Sequence, residues 1–173
     1  MRFHRWLVAP FLAVFLLGCA PGDESISLRC SIAGMSVVVG EKGLITTLEG
    51  GFRVEITLGG RASSASDVSF PSFSLVRADQ GIAAISKEHL SVVGSEPTPV
   101  HLVQGNSTTI HFEIGDQAQP GAPVSAMQIS KSDFSGVCSA GLLQIVGTIS
   151  NAADVSGRAT VTSPAFSPQG CPE

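Results

Sequence analysis

Two histidines and one glutamate within residues 100–114 are the side chains whose spacing best suits chemistry. The segment alternates apolar and polar residues on both sides of Gly105-Asn106-Ser107, which predicts a β-hairpin. In the register that keeps the apolar side chains of both strands on one face, His101 lies opposite His111, and Glu113 is a diagonal neighbour. Because two imidazoles and a carboxylate can bind a divalent transition metal, these three residues form a candidate metal site.

Two alternatives to this metal site stay open. If the hairpin closes through a two-residue turn at Gly105-Asn106, its histidines fall on opposite faces of the sheet. Alternatively, His101 and His111 are both hydrated and bind nothing. A zinc or copper titration would separate these readings from a metal-binding protein.

Catalytic templates are not evident in the chain. Ser139 stands in Val137-Cys138-Ser139-Ala140-Gly141, which lacks the first glycine of a nucleophile elbow. No glycine-rich phosphate loop precedes a helical pattern. We therefore assign no catalytic residue and expect no cofactor; a hydrolase with a site carried on loops is retained as an alternative, because loops often carry function.

The elements that would position these side chains are short β-strands. Residues 52–58 alternate apolar and polar side chains, and similar runs recur with turn residues between them, including Ala33-Gly34 and Gly50-Gly51. This pattern predicts an all-β fold, an antiparallel β-sandwich that is immunoglobulin-like in the loose sense. Residues 82–93 fit either two strands or one short helix near residues 80–90, with Asp79 as its N-cap.

The N-terminus has the pattern of an export signal. Arg2 and Arg5 precede an apolar run from Trp6 to Leu17, which is too short for a permanent transmembrane helix. The run ends in Leu16-Leu17-Gly18-Cys19, which resembles the lipobox of bacterial lipoproteins. The resemblance covers only the first 19 residues and concerns address and anchoring, not activity.

Several expectations follow from the lipobox resemblance. It implies that residues 1–18 are a signal peptide, that Cys19 is diacylated, and that residues 19–25 are a lipidated tether before a single β-sandwich domain at residues 26–173. Two or three acyl chains give a stable membrane anchor. Ala20 after the cysteine implies the outer membrane of a Gram-negative cell. Cleavage by an ordinary signal peptidase is the alternative, although Pro21 would disfavour it.

The composition of the remaining chain excludes some classes of partner. Residues 19–173 contain 8 basic and 14 acidic side chains, a formal charge of −6, so no basic patch suggests nucleic acid. All the aromatic residues there are phenylalanine, since the one Trp is Trp6 and the chain has no Tyr. Sugar platforms and interface hot spots favour Trp and Tyr, so a carbohydrate-binding module is disfavoured.

Three cysteines remain if Cys19 is lipidated. An exported protein enters an oxidising compartment, so we expect one disulfide and one free thiol. In the register predicted for the last hairpin, Cys138 comes close to the proline-rich tail that holds Cys171. We therefore predict a disulfide between Cys138 and Cys171, with Cys30–Cys171 as the alternative pairing.

Together these patterns predict a membrane-anchored lipoprotein of the cell envelope that acts as a non-enzymatic binding or structural module. Its expected partners are the membrane, through the lipid on Cys19, and an envelope protein that contacts sheet edges and loops, for example by strand addition. The metal-binding protein and the hydrolase are the alternative functions.

Overall fold

The computed structural model describes residues 28–151 and 158–172. The expected signal peptide (residues 1–18), the tether (residues 19–25) and the lipidation site Cys19 lie outside these described residues, so their assignments remain predictions. Residues 152–154 of the turn expected around residues 151–154 also lie outside the described residues.

The described residues form nine strands and one helix. The elements in chain order are β1 (Leu28–Lys42), β2 (Ile45–Leu58), β3 (Ser66–Arg77), β4 (Val92–Gly94), β5 (Val100–Leu102), β6 (Ser107–Ile114), β7 (Met127–Ile129), α1 (Lys131–Ser139), β8 (Leu143–Asn151) and β9 (Arg158–Thr162). None of the helical segments in this part of the chain is long and apolar enough to cross a membrane.

Two antiparallel sheets pack face to face. The first sheet has the order β1-β2-β6-β4, and β7 pairs with the first residues of β2. The second sheet has the order β5-β3-β8-β9. Inward side chains alternate with outward ones along β2, β6 and β8, and both sheets contribute to one cluster of buried apolar residues. The predicted all-β sandwich is therefore confirmed.

Glycines expected to make turns instead sit inside long strands. Between Ala33 and Ser36 the β1–β2 register shifts, and Gly34 at φ 62° occupies the bulge. The bulge reverses the side-chain parity of β1, because one extra residue moves each later side chain to the other face. A Cβ on Gly50 would lie 1.9 Å from the Ser36 carbonyl oxygen, so only glycine permits this close approach.

The short helix considered near residues 80–90 does not form. Residues 82–90 instead run beside β3, where the Ala84 amide donates to the Leu75 carbonyl and the Leu90 amide donates to the Phe73 carbonyl. Ala84, Ile85 and Leu90 are buried there. These backbone bonds to β3 take the place of intrahelical bonds, and the segment covers an edge that would otherwise be open.

The described helix lies elsewhere, at α1, which the strand pattern did not predict. Ser130 is its N-cap, and its hydroxyl accepts from the Asp133 amide. The Asp133 carboxylate accepts from the amide and the hydroxyl of Ser86, at 2.6 and 2.9 Å, and from the Ser130 amide at 3.3 Å. Burial raises the pKa of Asp133, but these hydrogen bonds outweigh it and leave the pKa below its ordinary value.

The predicted disulfide is present. Cys138 near the end of α1 is bonded to Cys171 in the tail, while Cys30 is a free thiol in β1. The register that led to the prediction was wrong, because Ser150 pairs with Arg158 rather than with Val155. The pairing forms because α1 places Cys138 beside the tail, which the Leu143–Phe166 bridge holds against β8.

We predict that Asp133→Asn lowers the free energy of unfolding by about 1–3 kcal/mol at pH 7, because one amide oxygen cannot accept from all three donors. Since the folded pKa of Asp133 is depressed, its contribution is complete above the ordinary value of 3.8 and is lost as the pH falls through the folded pKa. Urea unfolding at pH 7 and in acid should show the difference shrinking at low pH. Asp116→Asn, at an exposed site, should change little; equal effects of the two variants would contradict the role given to Asp133.

We also predict that replacing both Cys138 and Cys171 by serine lowers the free energy of unfolding by about 3 kcal/mol, because the bond joins residues 33 positions apart. Denaturant unfolding with and without dithiothreitol measures this. The reductant should destabilise the unmodified protein to the level of the variant and leave the variant unchanged. Insensitivity of the unmodified protein to the reductant would contradict the bond.

Candidate binding surface

The structure separates the two histidines of the expected metal site. His101 lies in β5 and pairs with Asp67 of β3, in the second sheet, whereas His111 lies in β6 and pairs with Arg53 of β2, in the first sheet. The predicted hairpin of residues 100–114 was therefore wrong, and the cross-strand contact of His101 with His111 does not form. The physical reason is that each half of the segment finds its hydrogen-bonding partner in a different sheet.

The exposed pair of His101 with Asp67 also lacks the parts of a catalytic site. The ring Nδ1 of His101 and the Asp67 Oδ1 lie 2.8 Å apart, with both side chains more than half exposed. Asp67 can orient the ring as in a catalytic dyad. However, no described hydroxyl or thiol is hydrogen-bonded to the histidine, so a nucleophile is missing from this arrangement.

His111 and Glu113 do share a surface, on the outer face of the first sheet. Both side chains are exposed at alternate positions of β6, since the intervening Phe112 points into the core. Arg53 is directly opposite His111, and Gly51 is directly opposite Glu113. Arg53 is therefore a diagonal neighbour of Glu113 on the same face.

Three shallow hollows adjoin at Glu113. One, of about 290 Å³, lies between Glu113, Arg53 and the bulge at Gly34. The second, of about 320 Å³, lies between Glu113, Glu49 and residues 124–126. The third, of about 210 Å³, lies beside β4 and residues 122–124. We call this region, with Arg53, His111 and Glu113 at its centre, the Glu113 surface.

Glycines and a loop shape the Glu113 surface. The outward positions of Gly34 and Gly51 carry no side chain, and a Cβ on Gly34 would come within 3.0 Å of the Arg53 guanidinium. On the far side, residues 116–125 leave β6 and return, closed by backbone hydrogen bonds between Asp116 and Ser125 in both directions. The sheet surface is low at Gly34 and Gly51 because they lack side chains, and the loop of residues 116–125 projects beside it. Together they make the face concave.

The charges of this surface are unevenly paired. The Arg53 Nε donates to the Glu55 Oε1 at 3.1 Å, with both side chains about half exposed. Glu113 and Glu49 form no ion pair with any described residue. The surface therefore presents unpaired carboxylates beside an arginine that is already engaged, an arrangement that favours a cationic group on a ligand.

Metal binding is not favoured by this geometry. Within residues 28–151 and 158–172, no group of three or more His, Cys, Asp or Glu side chains is placed to hold a metal ion. His111 and Glu113 share the outer face that was predicted for them, but the second imidazole, that of His101, lies in the other sheet. The structure thus does not assemble the proposed ligand set.

The free thiol of Cys30 is also unsuited to chemistry. Burial raises the pKa of Cys30 to about 11, so the thiol stays protonated at neutral pH. The side chain packs against the core from β1. It acts there as a small apolar residue, as expected for a cysteine without an electropositive neighbour.

Sequence reasoning found two of the three central residues and missed Arg53. The alternation of residues 52–58 placed Arg53 on an outward face, but only the pairing of β2 with β6 brings it beside His111. The hollows themselves depend on the loop 116–125 folding beside β6, and the sequence shows this loop only as a Pro/Gly-rich stretch.

Comparison with known proteins gives no family assignment: no protein-family model matches the chain, and no curated protein or solved structure matches it significantly. Function is therefore argued from the chain's own residues.

We predict that Cys30 in the folded protein reacts with iodoacetamide about a hundredfold more slowly at pH 8 than an exposed thiol, because a pKa near 11 in place of 9.0 makes the thiolate that much rarer. Mass spectrometry of timed samples, native and in urea, measures the rate. Cys30→Ala is the control and should remove the slow label. Labelling of the native protein at the unfolded rate would contradict the burial.

Proposed function

We propose that this protein is a lipid-anchored module of the cell envelope that binds a partner without catalysing a reaction. The Glu113 surface is the observation that carries the proposal, because it is a concave face with polar side chains set on rigid strands. The lipobox resemblance at Leu16-Leu17-Gly18-Cys19 supports the anchored address. The partner is an envelope protein that brings a lysine or arginine side chain to Glu113.

A binding role fits the arrangement of groups better than an enzymatic one. Enzymes need an acid, a base or a nucleophile within hydrogen-bonding reach of one another. The described histidine with an acidic partner, His101, has no nucleophile, and the free thiol of Cys30 is held protonated. The Glu113 surface in contrast offers shape and charge, which suffice for recognition.

The anchor would hold this surface near the bilayer. Leu28 lies nine positions after Cys19 in the chain, and nine extended residues reach at most about 30 Å. A domain on such a short tether meets partners that lie in or on the same membrane. In a Gram-negative cell the proposed site is the outer membrane.

The anchoring is tested by the mass of the native protein. We expect the isolated polypeptide to begin at Cys19 and to carry a diacylglycerol, with or without a further acyl chain. Cys19→Ser should leave the protein without acyl chains and release it from the membrane fraction. A native chain that begins at another residue, or has no fatty acid, would refute the lipoprotein assignment.

The binding surface is tested by a matched pair of variants in the intact protein. Glu113→Gln removes the central carboxylate, whereas Asp67→Asn removes an exposed carboxylate on the opposite sheet. Both proteins are used as bait in solubilised envelopes, and captured proteins are quantified by mass spectrometry. We expect one partner to be lost by about tenfold with Glu113→Gln only, as for a charge-assisted hydrogen bond of about 1.5 kcal/mol. Capture of the bait alone, or equal capture by both variants, would contradict the proposal.

A further inference from the structure

Within the described residues, the first part of one β1 edge has no strand hydrogen-bonded to it. β2 occupies one side of β1 along nearly its whole length. On the other side the tail pairs only with the middle of β1, where the Val39 amide donates to the Gln169 carbonyl and the Gln169 amide donates to the Val37 carbonyl. From Leu28 to Ala33, no described strand is hydrogen-bonded to this side, although β9 of the second sheet comes close to β1. We call residues 28–33 the open edge.

The other edges within the described residues are partly covered or short. β5 and residues 82–90 cover one side of β3, while the edge strands β4, β5 and β9 have three, three and five residues. Natural sheets have covered, short or charged edges because unpaired backbone amides and carbonyls can hydrogen-bond to a strand of another chain. The open edge has few of these features: it contains no proline, its one charged side chain is Arg29, and the bulge between Ala33 and Ser36 lies at its end.

The tail shows that the β1 edge accepts an added backbone. Gln169 forms a parallel bridge to Val38, and both of its backbone groups bond to β1. A Cβ on Gly170 would lie 2.1 Å from the Val39 carbonyl oxygen, so the tail sits close against the strand. A short tail segment therefore already pairs its backbone with this edge, at Val37–Val39 beyond the bulge.

We propose that the open edge binds an extended segment of the envelope partner as an added β-strand. The partner strand has a stated chemistry because the two faces of the open edge differ. Leu28 and Cys30 point towards the core but are only partly buried, so alternate partner residues facing them are apolar. Arg29 points outward and forms no ion pair with any described residue, so an acidic partner residue lies beside it.

A second copy of this chain does not suit the open edge. In a symmetric antiparallel pair of two open edges, each Arg29 would face residues 28–33 of the other copy, which contain no acidic side chain. An added strand that carries an acidic residue can pair with Arg29, so the occupant is a segment of another protein.

This inference deepens the proposed function and rests on it for its setting, but its test does not need the envelope. The probes are synthetic ten-residue peptides of alternating Val and Thr, with one Thr replaced by Glu or by Lys. The mature chain with its native N-terminus is titrated with each peptide and followed by calorimetry and amide hydrogen exchange. We expect the Glu peptide to bind about fivefold tighter than the Lys peptide, and amides within residues 28–33 to become protected.

Three variants make the test specific. Arg29→Glu should reverse the preference between the two peptides, and Arg29→Ala should remove it if the reversed charge disturbs folding. N-methylation of alternate peptide amides should abolish binding, because the edge contributes backbone hydrogen bonds. Lys87→Glu, at an exposed position beside β3 of the second sheet, is the matched control and should leave the preference unchanged.

Clear outcomes would overturn the inference. Absence of binding by any peptide at 1 mM, a concentration at which even weak strand addition is measurable, would refute it. So would binding that tolerates N-methylation, or protection that appears elsewhere than residues 28–33. If the peptides bind while the Glu113→Gln capture experiment fails, the open edge stands and the Glu113 surface is wrong; the reverse result removes the open edge alone.

Discussion

The packing of four phenylalanine rings between the two sheets is the contact on which the rest of the structure depends. Phe52 and Phe112 come from the first sheet, and Phe70 and Phe73 from the second. Ring centroids of Phe73 lie 4.8 and 4.9 Å from those of Phe52 and Phe112. Large rings bury much of the apolar area available to a chain that has no tyrosine, so this cluster sets how the two sheets face each other. Gly147 of β8 leaves the space that the Phe73 ring fills.

The same packing determines where the functional side chains point. Successive residues of a strand face opposite sides, so burying Phe52 and Phe112 turns Arg53, His111 and Glu113 outward. A register shift of one residue would exchange the two sets, which the burial of the rings opposes. The Glu113 surface is therefore the outer side of the strands whose inner side carries Phe52 and Phe112, and these packed rings hold the strands in place.

The two proposed contact regions differ in what they offer a partner. The Glu113 surface supplies charge and shape through side chains, whereas the open edge supplies backbone groups. The bulge at Gly34 lies between them in β1 and reverses its parity, so that Ile32 before it and Val37 after it both point inward. One strand thus contributes to the core along its whole length while its first half stays available at the edge.

The fold class and much of the site could be predicted because they depend on local alternation. Period-two patterns identified most of the strands. The Cys138–Cys171 bond was also predicted, but through a register of the last hairpin that the structure does not have. Which strands pair with each other could not be predicted from local alternation. Residues 100–114 alternate as a hairpin does, yet their halves join different sheets, because the choice between partners depends on burial over the whole domain. Gly34 and Gly50 lie inside strands, at a bulge and at a close backbone contact. Glycine is equally common in turns, so the local sequence does not distinguish these structures.

The helix α1 was not predicted, although its N-terminal capping residues are visible in the sequence. Ser130 and Asp133 have the spacing of a capping box, which the strand pattern around them obscured. What the sequence by itself determined is which residues face inward, because apolar burial follows the two-residue period of a strand. Which strands lie side by side, and hence that Arg53 rather than His101 adjoins His111, was decided only by the tertiary structure. Hydrogen bonding between strands is indifferent to side-chain pattern, and only the joint packing of both sheets selects one pairing.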